Sequence, residues 1–91
     1  MNKAELITNM AEKAQLSKKD AEKALNAFVE CVEEALSMGE KVQLVGFGSF
    51  EVRHRAARKG RNPQTNEEIT IEASRAPIFR VGKALKDRVN R

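Results

Sequence analysis

The chain has no tryptophan, no tyrosine, four phenylalanines, two prolines and one cysteine in 91 residues. Each shortage closes off a class of protein. A lone cysteine, Cys31, permits no internal disulfide, which suits a reducing cytosol. One histidine, His54, and no clustered carboxylates leave no catalytic set and no metal site, so no enzyme, cofactor or small-molecule substrate is expected. No apolar run is long enough to span a bilayer, and Met1-Asn2-Lys3-Ala4-Glu5 leads straight into a helical pattern without a signal peptide. A cytoplasmic protein with no membrane partner is expected. The scarcity of aromatics also limits the core that a single small domain can build, and self-association is the expected remedy.

What the chain does have is charge, unevenly spread. Residues 1–38 hold five Lys against seven acids, a net of −2, while residues 39–91 hold twelve Lys or Arg against six acids, a net of +6. The arginines lie in the second half, and that asymmetry points to nucleic acid before membrane.

Residues 1–39 read as two helices. Asn2 caps the first, with Glu5 three residues on, and Leu6, Ile7, Met10, Ala11 and Ala14 share one face. Ser17 caps the second, with Asp20 in the matching place, and Ala21, Ala24, Leu25, Phe28, Val32, Ala35 and Leu36 form its apolar stripe. Gly39, free to turn left-handed, ends it. Cys31 falls near this stripe and reads as a small core residue, with redox sensing the subordinate reading.

At Glu40 the period changes from helical to two. Val42 and Leu44 alternate with Lys41 and Gln43, and Val45-Gly46-Phe47-Gly48 reverses the chain. On the next strand Phe50 and Val52 share one face, so Glu51, Arg53 and Arg55 line the other. The stretch from Gly46 to Phe79 has apolar residues at both ends and almost none between Ala57 and Ile69. It therefore reads as a hairpin arm, about 54–76, rooted in a core and projecting from it. His54, in the Phe50 phase, reads as solvated or hydrogen-bonded. Leu85 and Val89 give residues 82–91 a short amphipathic helix, whose first turn carries Lys83 and Lys86 where the dipole favours anions, so a phosphate is expected beside it.

The arm holds the chemistry. Five basic residues and no acid occupy the nine positions from Arg53 to Arg61: Arg53, Arg55, Arg58, Lys59 and Arg61. Glu67, Glu68 and Glu72 on the return strand are placed to pair with them and lower their affinity for anions. Ten extended residues reach roughly 33 Å, enough to wrap a duplex. At the tip stands Asn62-Pro63-Gln64-Thr65-Asn66. Asn62-Pro63 alone is a turn signal. A rigid apolar ring on a cationic hairpin equally suits a wedge between base pairs. The residues by themselves leave both readings open.

From Gly46 onward the chain resembles the HU / integration host factor family of bacterial DNA-bending proteins. The resemblance rests on Gly46-Phe47-Gly48-x-Phe50, Arg55, Arg58, Gly60-Arg61-Asn62-Pro63-x-Thr65, Ile71, Pro77-x-Phe79 and Gly82-Lys83-x-Leu85-Lys86. With Met1-Asn2-Lys3 and the two amphipathic helices it covers essentially all 91 residues. It implies an α+β fold: a helical dimerisation base (1–39), a three-stranded antiparallel β-saddle (40–81) with the long β-hairpin arm, and a C-terminal helix (82–91). It further implies an intertwined homodimer with two arms around nucleoid DNA, and intercalation of Pro63. Three positions depart from the pattern. Asn66 stands for the usual Gly, yet Asn is the residue that best tolerates the left-handed conformation after Gly. Glu72 stands for a common Pro, and His54 for a frequent acid.

The expected function is thus architectural: binding double-stranded DNA with little sequence specificity, bending it, compacting and protecting it. Arg53, Arg55, Arg58, Lys59 and Arg61 are the arm cations; Asn62, Pro63, Gln64 and Thr65 form the tip; Arg75, Arg80, Lys83 and Lys86 are saddle and flank phosphate contacts. Two rivals are a subunit of a sequence-specific heterodimer of the integration host factor type and an RNA-binding module. RNA is at most a secondary partner, since the arm lacks aromatics to stack unpaired bases.

Overall fold

A computed structural model describes all 91 residues. In chain order the elements are α1 (Lys3–Ala14), α2 (Lys18–Ser37), β1 (Val42–Leu44), β2 (Gly48–Arg55), β3 (Arg58–Arg61), β4 (Glu68–Ile71), β5 (Ser74–Val81) and α3 (Lys83–Val89). Backbone packing divides the chain into two units, Met1–Glu34 and Ala35–Arg91.

The first unit is a helix pair set by its caps. The N–H of Glu5 donates to Asn2 Oδ1 at 2.9 Å, and that of Asp20 donates to Ser17 Oγ at 3.0 Å. Each bond satisfies an N–H that the helix itself leaves without a partner. Gln15, in the left-handed region at φ 56, closes α1. The core between the helices is small: Ile7, Ala11 and Ala21, with Met10 and Leu25 packed against them. The sequence placed more residues on that face than the fold covers. Leu6, Ala14, Ala24 and Phe28 are exposed, and so is Cys31, against its reading as a core residue. Met1, Leu6, Leu25 and Val29 instead line an open groove of about 720 Å³ along the pair. Two of the three buried residues are alanines, so the contact is narrow: on the α2 stripe only Ala21 is fully buried, Leu25, Val32, Ala35 and Leu36 are partly covered, and Ala24 and Phe28 are exposed.

The second unit opens with the end of α2. Gly39 turns at φ 79; its N–H donates to the Leu36 carbonyl at 3.0 Å, and the Glu40 N–H to the Ala35 carbonyl at 2.8 Å. β1, β2 and β5 then form an antiparallel sheet in the order β1-β2-β5. Val42 lies opposite Phe50, and Phe50 opposite Phe79. Phe79 packs tilted against Phe50 and Phe47, at ring separations of 4.9 and 5.6 Å. Such tilted pairs add about 0.5–1.5 kcal/mol each beyond simple burial.

The reversal between β1 and β2 is stitched to the start of α3. The Gly82 N–H donates to the Phe47 carbonyl at 2.8 Å and the Leu85 N–H to the Gly46 carbonyl at 3.1 Å. Gly48 is required by close approach: a Cβ there would sit 2.5 Å from the Arg80 carbonyl oxygen and against the Phe79 ring. Backbone cannot retreat as a flexible side chain can. Gly48→Ala is therefore expected to destabilise the fold by about 1–3 kcal/mol, the usual range for overpacking. Urea unfolding checks this; a midpoint equal to wild type would contradict it.

The arm is built from two ladders, not one. The β2–β5 pairing runs out to Arg55 opposite Ser74, and β3–β4 pairing begins at Arg58 opposite Ile71. Between them Ala56-Ala57 and Glu72-Ala73 belong to no strand. Ala and Glu are poor strand formers and offer little cross-strand contact, which is why the ladder breaks there. At the tip Asn66 turns at φ 59, as the sequence led one to expect of an Asn in place of Gly. Its N–H donates to the Asn62 carbonyl at 2.7 Å, and the Asn62 N–H to the Glu67 carbonyl at 2.9 Å.

Candidate nucleic-acid interface

Strand alternation sorts the cations. On β2, Phe50 and Val52 occupy one face of the sheet, and Ser49, Glu51, Arg53 and Arg55 the other. The register adds Ala76, Ile78 and Arg80 of β5 to that second face. Near its centre, half-buried Glu51 ties two neighbours: Ser49 Oγ donates to one carboxylate oxygen, and Arg80 lies 3.8 Å from the other. This Ser49–Glu51–Arg80 cluster was not foreseen. Alternation alone puts Ser49 and Glu51 on one face, but only the register brings Arg80 to them.

Toward the arm the cations outnumber the anions. Arg53, Arg55 and Arg58 converge on a cleft of about 420 Å³ whose remaining walls include Ala56, Glu72 and Ser74. All three arginines are exposed. The break between the ladders thus lies within the densest positive charge of the chain.

Further out, Lys59 Nζ sits 3.6 Å from Glu68 Oε1, with both side chains mostly exposed. Exposed pairs of this kind are worth about 0–1 kcal/mol, so a polyanion displaces the glutamate at little cost. Arg61 reaches Asn66 Oδ1 at 3.5 Å, a long contact that leaves the guanidinium largely available. Asn62 Oδ1 accepts the Gln64 N–H at 2.9 Å, closing a side-chain turn around Pro63. Pro63, Gln64 and Thr65 are exposed at the apex. The Asn62 side chain shapes that apex from within, so the ring of Pro63 is presented on a built turn.

The flanking residues divide. Arg75 and Arg80 stand five apart on one strand, an odd separation that puts them on opposite faces. Arg75 lies in the Phe50 phase opposite His54, away from Arg53, Arg55 and Arg80, and its Nη1 donates to the Ser37 carbonyl at 3.0 Å. Lys83 and Lys86 occupy the first turn of α3, whose cap residue Gly82 offers no side chain. Of that turn's N–H groups, Leu85's bonds the Gly46 carbonyl and Lys86's the Gly82 carbonyl. The N–H groups of Lys83 and Ala84 have no backbone acceptor, so the turn offers an anion its two lysine charges and those two donors. Of the apolar side expected for α3, Leu85 is partly covered, whereas Val89 is 74% exposed.

What the arrangement can do chemically follows from this inventory. It presents guanidinium and ammonium groups along a strand-built surface and a narrow arm. No three or more His, Cys, Asp or Glu gather where a metal would be held. No helix is long and apolar enough to cross a membrane. A row of exposed cations at strand spacing is a receptor for a regularly charged polyanion.

Comparison with known proteins identifies the kind. Residues 1–90 match the family described as bacterial DNA-binding protein. The chain is 67% identical over 91 residues to DNA-binding protein HU of Clostridium pasteurianum, covering all of both chains. It is 64% identical over 89 residues to DNA-binding protein HU of Geobacillus stearothermophilus, covering 98% of this chain and 99% of that one. Its fold superimposes on an HU–DNA cocrystal structure from Anabaena with a TM-score of 0.88 and 54% identity, over 98% of this chain and 97% of that one. One fold, one conserved length and a surface of strand-spaced cations converge: the chain belongs to the HU family of bacterial DNA-binding proteins, a non-enzymatic architectural family with an α+β fold.

Proposed function

We propose that the protein works as a homodimer that wraps duplex DNA with two arms, seats Pro63 in the minor groove, and bends, compacts and protects chromosomal DNA in the nucleoid. The observation that carries the reading is the apex of the arm. Pro63 is exposed on a turn closed by Asn62, at the end of a hairpin with no core of its own. Such a ring has no apolar partner within the arm, and a base step supplies one. Arg53, Arg55, Arg58, Lys59 and Arg61 contact phosphates along the way, with Arg80, Lys83 and Lys86 at the flanks. Specificity is weak, because minor-groove edges carry a degenerate code and DNA deformability supplies most discrimination.

Pro63→Ala tests the wedge. Unstacking a step costs a few kcal/mol, which only the extra wrapped contacts offset. Alanine is too small to hold the step open. The variant is expected to bind through Arg58, Lys59 and Arg61 with nearly the wild-type salt dependence, yet to bend a short duplex much less. Fluorescence transfer between the duplex ends reads the bend. Equal end-to-end distances for wild type and variant at saturating protein would make Pro63 a turn residue only.

A further inference from the structure

We propose that Arg75 is a positioning residue that straps the root of the arm to the last turn of α2, and not a contact for DNA phosphate. The inference deepens the DNA-binding reading and rests on it. Three observations carry it. The first is the need at the end of α2. This 20-residue helix has no basic residue in its last turn, although its C-terminal carbonyls hold partial negative charge, and Glu33 and Glu34 stand at the start of that turn. A cation is favoured there and an anion is not.

The second is the disposition of the last carbonyls. Backbone N–H groups of Met38, Gly39 and Glu40 bond the carbonyls of Ala35 and Leu36. The Ser37 carbonyl takes its bond from Arg75 Nη1 at 3.0 Å, a residue 38 positions further along the chain. One side chain thus supplies both the missing cation and a hydrogen-bond donor at a helix end.

The third is where Arg75 sits on its own strand. Opposite His54, it is one rung inside the end of the β2–β5 ladder, where Arg55 faces Ser74. Beyond that rung the ladder breaks at Ala56-Ala57. The strap therefore grips the last part of the hairpin that is still tied to the sheet. Its face is that of Phe50, while Arg53, Arg55 and Arg80 occupy the other. To reach a phosphate beside those arginines, Arg75 would have to leave the helix end and cross the sheet.

The test uses the full-length protein and random duplex DNA, and compares Arg75→Met with wild type. Each phosphate contact adds about 0.9 to the slope of log affinity against log salt, so losing one from each of two copies lowers it by about 1.8. The expected result is an unchanged slope, together with amide exchange about two- to fivefold faster at Met38–Glu40 and Ser74–Ala76, the factor set by one cation at a helix end. Arg75→Lys, which keeps the cation and a donor, is expected to restore much of that protection. A slope lower by about 1.8 with wild-type exchange would overturn the proposal. If Arg75→Met does not fold, Arg75→Gln carries the same slope comparison. Failure of the wild type to bind duplex DNA at all would sink the DNA-binding reading instead, and the exchange comparison would still decide the strap.

Discussion

Raising the salt from 50 to 200 mM should weaken binding to a random duplex by about 10³–10⁵-fold. The expected size comes from counting cations that are free to meet phosphate. Arg53, Arg55, Arg58 and Arg61 are exposed, with no carboxylate paired to them. Lys59 pairs with Glu68 at 3.6 Å with both side chains mostly in water, where an ion pair adds little, while Arg80 pairs with the half-buried Glu51 at 3.8 Å. The four unpaired arginines on each of two copies make eight, so on the order of 6–10 phosphates are neutralised, and each releases condensed counterions whose return at higher salt opposes binding. Titrations on two unrelated duplexes should give the same slope, because phosphate contacts carry no sequence information. A shallow slope, or a strong preference for one duplex, would overturn the nonspecific reading. Glu51→Gln offers an internal control: it frees Arg80 and should raise affinity slightly at low salt.

Replacing Phe47 with alanine should destabilise the assembled protein by about 3–5 kcal/mol and shift it toward dissociated chains. In the single chain Phe47 is 48% exposed, although its ring packs 5.6 Å from that of Phe79. A ring left half in water would lose much less on truncation, since the transfer and cavity contributions both scale with what is buried. The full loss requires a second copy to cover it. Phe28, Val29 and Phe79 are likewise exposed, and Met1, Leu6, Leu25 and Val29 line an open groove. An apolar surface of this extent is rarely left to water on a stable monomer. Unfolding at two protein concentrations separates the cases. A midpoint that rises with concentration in wild type, and falls sharply in Phe47→Ala, supports the dimer. A folded wild-type monomer at micromolar concentration in sedimentation would refute it.

Much of the fold was written locally. The caps at Asn2 and Ser17, the turn at Gly39 and the left-handed Asn66 depend only on residues within a few positions, and each formed as the sequence indicated. Alternation likewise put Arg53 and Arg55 opposite Phe50 and Val52. The basic run and the Asn62-Pro63 apex were legible for the same reason, because a stretch without apolar residues has no core to enter.

Other features needed the chain in three dimensions. Arg75 and Arg80 look alike in the sequence, but strand register and the reach of one guanidinium to Ser37 separate them. The Ser49–Glu51–Arg80 cluster depends on a pairing between residues about thirty positions apart. The break at Ala56-Ala57 depends on what stands opposite in the return strand. Coverage was the least legible property. Periodicity tells which side chains share a face, because backbone geometry fixes that direction; it cannot tell how much of the face is covered. That is decided by the size of the surface laid against it, and here α1 supplies only a narrow strip around Ile7 and Ala11.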